Sequence, residues 1–144
     1  MNTILPEPYK VSYVVKDIEN AKKQWQLSGF SEWTEFDYEG KKEDITIGEP
    51  FIAHFAQTRI NNGIVFELIQ PISGNSIWKQ RLDEKGEGYH LISFSTPNNW
   101  KETIEKLKAN GAIVKVEANF DGLMWCYIDI DGINRIEVTE EKID

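Results

Sequence analysis

The sequence repeats one pattern of elements twice, and that repetition restricts the possible folds more than any other feature. "YKVSYVVKD", rich in valine and tyrosine, reads as a strand ending at Asp17, whose carboxylate suits a helix N-cap. "IENAKKQWQLSG" then supplies a helix with Ile18, Ala21, Trp25 and Leu27 on its apolar side, stopping at Gly29. Three strands follow, "FSEWTEFDY", "FIAHFAQTRI" and "GIVFELIQ". The second half starts over with the strand "YHLISFST" and the helix "PNNWKETIEKLKANG", capped by Asn98 or Asn99 and ended by Gly111. "AIVKVEA", "LMWCYIDI" and "INRIEVTE" complete it. Each half is βαβββ, so the expected class is α+β, and a duplication of this length is weighed before any single motif.

The expected organisation is a single domain over residues 1–144. A first module spans 9–70, a connector 71–87 and a second module 88–140, with a short connector helix from Ser76 to about Glu84. A chain of 144 residues with 40 % hydrophobic content can bury one proper core but not two. The net charge of −8 with scattered lysines repels nucleic acid and anionic membrane surfaces on average. Cys126 is the only cysteine, which excludes an intramolecular disulfide. The opening "MNTILPEPYK" lacks the apolar core of a secretion signal, and no apolar run approaches the roughly 20 residues that span a bilayer. A cytoplasmic setting is the expectation.

A second feature sits inside the repeat. Glu67 interrupts the apolar run "IVFELIQ", and Glu137 does the same in "INRIEVT". Side chains alternate between the two faces of a strand. Ile64, Phe66 and Leu68 therefore share one face, opposite Val65, Glu67 and Ile69. Asn134, Ile136 and Val138 likewise stand opposite Arg135, Glu137 and Thr139. The apolar sets pack on the helices, so both glutamates point into the space the sheets enclose, where a pseudo-twofold relation brings them together.

These residues carry a family resemblance. "VVKDIENAKKQW" running on to Gly29-Phe30, "FELIQPISGNS", "EKGEGYHLISF" and "DIDGINRIEV" resemble the vicinal oxygen chelate superfamily of glyoxalase I, bleomycin-resistance proteins, extradiol dioxygenases and methylmalonyl-CoA epimerase. The resemblance covers Tyr9 to about Glu140 and is nearest to epimerase-like and glyoxalase-I-like members. It implies a bowl of curved mixed sheet built from two βαβββ modules, often dimeric. It also implies a divalent ion held by one residue from the first and last strands of each module.

Carried over residue by residue, that pattern is degenerate here. The ligand position of the first strand, ordinarily His, is Lys10; the next is Glu67; the second module offers Leu91 and then Glu137. A protonated lysine has no lone pair and leucine has no donor, whereas a divalent transition ion needs three or four ligands. The expectation is a site with no cofactor, in which Lys10 supplies the positive charge that two buried carboxylates require. One alternative is open: a bulge near Tyr89 would turn His90 inward as a third ligand, permitting a divalent metal. Parity argues against it, grouping His90 with Ile92 and Phe94 on the helix side and Leu91, Ser93 and Ser95 toward the bowl. By loose alignment His54 falls near the position where epimerase-like members carry a glutamate that moves a proton beside a thioester.

Each of these residues has a plainer reading. Lys10, Glu67 and Glu137 could simply hold two modules in register, although three charges converging on one cavity favour a functional site. A strand histidine such as His54 is more often structural than catalytic. Trp33, Trp78, Trp125 and Tyr127 could line a ligand pocket or pack in the core. The stretch "EFDYEGKKEDITIGE" reads as a solvated loop or extended hairpin, Asp129 and Asp131 as turn builders, and Cys126 as inert packing. The candidate catalytic set is Glu137, Glu67 and His54; the candidate ligand-binding set is Lys10, Ser93, Arg135, Trp125 and Tyr127. The expected function is small-molecule binding by a homodimer, with no nucleic-acid or membrane partner. The alternative is an isomerase or lyase of the glyoxalase and epimerase type, and a scaffolding domain is a third reading.

Overall fold

The structure, a computed structural model, describes residues 3–143. In chain order its elements are β1 (Pro8–Val14), α1 (Ile18–Trp25), β2 (Thr34–Gly40), β3 (Ile45–Ile47), β4 (Phe51–Arg59), β5 (Val65–Ser73), α2 (Ile77–Lys85), β6 (Gly88–Ser95), α3 (Trp100–Ala109), β7 (Ile113–Phe120), β8 (Leu123–Asp129) and β9 (Arg135–Thr139). All nine strands join one sheet in the order β2-β4-β5-β1-β6-β9-β8-β7-β3. β1 runs parallel to β5 and β6 parallel to β9, and the halves meet along the antiparallel β1–β6 pair. No helix among the described residues is long and apolar enough to cross a membrane.

The stretch read as a loop or hairpin does more than turn. β3 leaves the first module and pairs with β7 at the opposite edge of the sheet, Ile45 opposite Ala118. Tyr38 on β2 also donates from its hydroxyl to the carbonyl of Asn119 on β7, at 2.7 Å. The two edges are thus tied together, and the sheet curves into a nearly closed bowl supplied by one chain.

Local chemistry sets the helix ends. Asp17 Oδ1 accepts from the Asn20 N–H, and Ser76 Oγ caps α2 by accepting from the Lys79 N–H. Asn99 occupies the cap position of α3 without a side-chain bond. α1 tightens at its end into a 3-10 turn over Gln26–Ser28. That change of pitch rotates Leu27 away from the apolar face, and it is 94 % exposed rather than packed.

Three apolar clusters follow from the strand alternation. On the convex side α1 lays Ile18 and Ala21 over Ala56, Phe66 and Leu68. Under the second module α3 lays Trp100, Ile104 and Leu107 over Ile128, Ile136 and Val138. The concave side is aromatic: Tyr38, Phe51, Phe55, Trp125 and Tyr127 surround Trp78, which α2 inserts into the bowl. Trp78 is 1 % exposed, and burying one side chain of this kind contributes about 1.5–3 kcal/mol. The turn into α2 depends on Gly74, at φ 85, where an added Cβ would lie 2.3 Å from the Pro50 carbonyl oxygen.

Candidate functional site

Strand parity delivers Glu67 and Glu137 to the concave face, and a neighbouring strand receives each of them. Ser12 lies beside Glu67 in the β1–β5 ladder and donates to its Oε1 at 2.8 Å. Ser93 lies beside Glu137 in the β6–β9 ladder and donates to its Oε1 at 2.6 Å. Gln57, opposite Glu67 on β4, donates to Glu67 Oε2 at 2.5 Å. Lys10 Nζ stands between the carboxylates, 3.5 Å from Glu67 Oε2 and 3.2 Å from Glu137 Oε1. The two named contacts of Glu137 thus fall on Oε1, whereas Glu67 has partners on both oxygens.

All three charged groups are buried. Burial opposes the Lys10 charge, but Glu137 and Glu67 outweigh it and hold the lysine well above its ordinary pKa, so it is an ammonium at any physiological pH. Tyr127 is pushed well above the ordinary phenol range by burial and by the same two carboxylates. Burial, opposed by Lys10 and reinforced by Glu137 and Glu67, raises Glu141.

The triad floors a cavity of about 380 Å³ whose walls include Phe36, Phe55, Trp78, Trp125 and Tyr127. Its aromatic polar atoms are satisfied: Trp78 Nε1 donates to the Tyr127 hydroxyl at 3.2 Å and Trp125 Nε1 to the Tyr38 hydroxyl at 3.1 Å. The rings therefore present apolar surface. Glu67, Asp121, Glu137 and Glu141 line the cavity against a single cation, Lys10, while the Asp37 carboxylate at its edge is taken by His54. The space suits a molecule with an apolar or aromatic body, and the field within it favours positive charge or hydrogen-bond donors.

Other candidates lie elsewhere. His54 is on the outward face of β4, because Phe51, Ala53, Phe55 and Gln57 take the inward one; it sits between Glu35 and Asp37, at 2.9 Å and 2.5 Å. Trp33 packs outside the bowl with Phe30 and Phe66. Ser93 is fully buried behind Glu137 and does not line the cavity, and Leu91 is wholly buried in the concave core.

Arg135 shares the parity of Glu137 but lies too far along β9 to reach the cavity, and it forks onto Asp129 instead, at 2.7 and 3.2 Å. Asp129 is thus an ion-pair partner rather than a turn builder. Asp131 does build the turn, accepting from the Ile133 and Asn134 N–H groups. Cys126 is buried and its thiol is pushed up by burial, which suits packing rather than reactivity.

The parity argument fails at His90. Ser12 pairs with Leu91 and Tyr13 with Tyr89, leaving His90 as the extra residue of a bulge. The ring turns off the helix side and packs on Tyr127, with Nε2 3.3 Å from Arg135 Nη1. It does not join Glu67 and Glu137. Among the described residues no three His, Cys, Asp or Glu side chains form a metal-binding group.

The sequence reading does not include Ser12, Gln57 or Glu141. Ser12 was findable, since it follows Lys10 by two positions as Ser93 follows Leu91. Gln57 needs the β4–β5 register, and Glu141 lies beyond the last strand.

A family model described as Glyoxalase/Bleomycin resistance protein/Dioxygenase superfamily matches residues 9–127. No curated protein matches the chain. Among solved structures, methylmalonyl-CoA epimerase from Mycobacterium tuberculosis superposes with a TM-score of 0.69 at 15 % identity, covering 99 % of this chain and 93 % of that one. A hypothetical protein from Bacillus halodurans C-125 gives 0.65 at 17 % identity, covering 96 % of each chain. A variant of Streptomyces coelicolor methylmalonyl-CoA epimerase in complex with 2-nitronate-propionyl-CoA gives 0.62 at 16 % identity, covering 94 % of this chain and 96 % of that one. At such identities the likeness is one of fold.

Proposed function

This chain belongs to the glyoxalase/bleomycin resistance protein/dioxygenase superfamily, and from that premise we propose that it is a small-molecule binding protein whose site works without a divalent ion. One observation carries the reading: the Lys10 ammonium stands between Glu67 and Glu137 on the floor of an aromatic cavity. The donors do not fit the family's ion. Two carboxylates remain, Leu91 contributes no donor, and an ammonium carries three hydrogens where a ligand would need a lone pair.

The ligand this site selects has a flat or branched apolar body between Phe36, Phe55, Trp78 and Trp125. It carries an amine or other donor toward the excess of carboxylates, with Glu137 Oε2 as the anchoring acceptor. The reading includes a homodimer, as the family resemblance implies, and a cytoplasmic setting, which is the expectation from the sequence.

A second reading is favoured by the same asymmetry. Glu137, with both named contacts on Oε1, has an oxygen available to take a proton from a carbon beside a carbonyl. Lys10, fixed as an ammonium, would stabilise the enolate oxygen that forms. That chemistry matches the name of the epimerases that share the fold.

The two readings separate experimentally. Elemental analysis of protein purified without chelator is expected to find well under one transition ion per chain, and a stoichiometric ion overturns the proposal. In a thermal-shift screen, amphipathic amines are expected to stabilise the protein more than carboxylates of the same skeleton. Exchange of the α-proton of an acyl thioester into D2O, abolished by Glu137→Gln, would establish the second reading instead.

A further inference from the structure

α2 divides the concave face, and beyond Trp78 lies a second cavity of about 670 Å³ that shares no lining residue with the first. Its chemistry is opposite in sign. Arg81, Lys85, Lys115 and Arg135 line it, with Glu49, Glu84 and Asp129 as the acids. Asp129 is taken up by Arg135, which leaves three cations against two carboxylates in a chain whose net charge is −8.

The cations here also differ in pairing. Lys22, Lys79, Lys106 and Lys108 each form an ion pair along their helices. Among the described residues Lys85 and Lys115 form none, and Arg81 donates only to the carbonyl of Tyr89.

Arg135 is the fixed point. A guanidinium has five N–H donors; Asp129 takes two and His90 Nε2 faces a third. Two donors remain on a group held rigid by a bidentate carboxylate. Because Arg135 can only donate, His90 Nε2 must accept, so the imidazole is neutral with its proton on Nδ1. That Nδ1 is buried without a partner. Burial and the surrounding cations Arg135, Arg81 and Lys85 push the His90 pKa down to about 3, which keeps Nε2 an acceptor across the physiological range. The β6 bulge that defeats strand parity is what places this ring against Arg135.

We propose that this second cavity is a binding site for a small oxyanion, a phosphate or carboxylate group, received by the free donors of Arg135 with Arg81, Lys85 and Lys115 around it. The site is independent of what occupies the first cavity, since neither the residues nor the sign of charge is shared. An oriented guanidinium backed by a carboxylate is an arrangement suited to anion recognition, and the exposed Lys85 and Lys115 add long-range attraction.

The test is a backbone amide NMR titration of the whole chain at fixed ionic strength, with inorganic phosphate in one arm and malonate in the other. Saturable shifts at Tyr89, His90, Gly132 and Asn134 are expected. The dissociation constant should rise by about tenfold or more in the Lys85→Gln/Lys115→Gln double variant, whose substituted side chains are exposed and do not threaten the fold. Tighter binding of phosphate assigns the site to phosphate esters and tighter binding of malonate to carboxylates; either supports it. Absence of saturable shifts with both anions, or affinities unchanged in the double variant, overturns it.

Discussion

Lys10 and Leu91 stand at equivalent places in the two modules, each two residues before the serine that holds its own module's glutamate. In the antiparallel β1–β6 ladder Lys10 faces Ser93 and Ser12 faces Leu91, as a local twofold requires. The carboxylates and serines obey that symmetry, Ser12 with Glu67 and Ser93 with Glu137. The amine breaks it. One ammonium therefore serves two carboxylates, and leucine closes the other side with apolar volume.

The first prediction concerns that imbalance. Lys10→Met leaves two buried carboxylates without a counter-charge and is expected to cost about 3–5 kcal/mol at pH 7. In the unsubstituted protein the folded Lys10 pKa is raised. Its contribution is therefore complete below the ordinary lysine value of about 10.4 and is lost as pH climbs through the raised one. Urea unfolding of both proteins from pH 7 to 11 reads the cost and the trend; a variant as stable as the parent at pH 7 would refute the argument.

The serines should not be equal. Ser93→Ala removes the one hydrogen bond that the Glu137 side chain accepts among the described residues, while after Ser12→Ala Glu67 keeps Gln57. Hydrogen bonds to charged groups are worth about 1.5–3 kcal/mol. Ser93→Ala is expected to fall in that range and Ser12→Ala below it, and chemical denaturation of the two variants settles the order.

Much of this arrangement is legible in the sequence because it rests on period and duplication. The alternation of "IVFELIQ" and "INRIEVT" places Glu67 and Glu137 inward, and the N-cap Ser76 fixes the start of α2 within a residue of its expected position. What escapes is non-local. The pairing of β3 with β7 joins residues 70 or more positions apart, and nothing in "ITI" names its partner. The bulge at His90 inserts one residue into the β1–β6 ladder, which shifts register again between Pro8 and Lys10, and a single extra residue reverses the face. Arg135 shows the same limit: parity gives the correct face but not the distance along it.

His54 offers a pH signature away from the cavity. The hydrogen bonds that His54 donates to Glu35 and Asp37 raise its pKa, so the fold favours the imidazolium. Its contribution is full below the ordinary value of about 6.5 and fades as pH rises through the raised folded value. Its side chain is 28 % exposed, which limits the effect to about 1 kcal/mol or less. His54→Gln is expected to lower stability at pH 5.5 and leave pH 9 nearly unchanged, with ligand hits of the first cavity unaltered. NMR titration of the imidazole and paired denaturation curves check it.

The proposed lack of an ion can be tested by supplying donors at Lys10 and Leu91. Lys10→His with Leu91→His would set two imidazoles beside Glu67 and Glu137, giving four donors of the kind a divalent transition ion takes. The double variant is expected to bind about one Co(II) per chain and to gain thermal stability from it, whereas either single variant binds weakly. Absorption of bound Co(II) reports coordination directly, and failure of the double variant to bind would mean that these four positions do not converge as the ladders indicate.

The last prediction tests which carboxylate meets the ligand. Glu67 is held on both oxygens by Ser12, Gln57 and Lys10, so its role is to anchor the amine. Glu137 has its named partners on one oxygen only and lines the cavity with the other unclaimed. Glu137→Gln keeps the shape and removes one negative charge. For any amine found to stabilise the protein, affinity should fall by about tenfold or more, as expected for a charge-assisted bond of about 1.5–3 kcal/mol. A neutral molecule of the same skeleton should be affected far less. Glu67→Gln should instead act chiefly on stability. Calorimetry on both variants with an amine and its neutral analogue distinguishes the roles, and equal losses for the two ligands would show that Glu137 is a structural group and not the anchor.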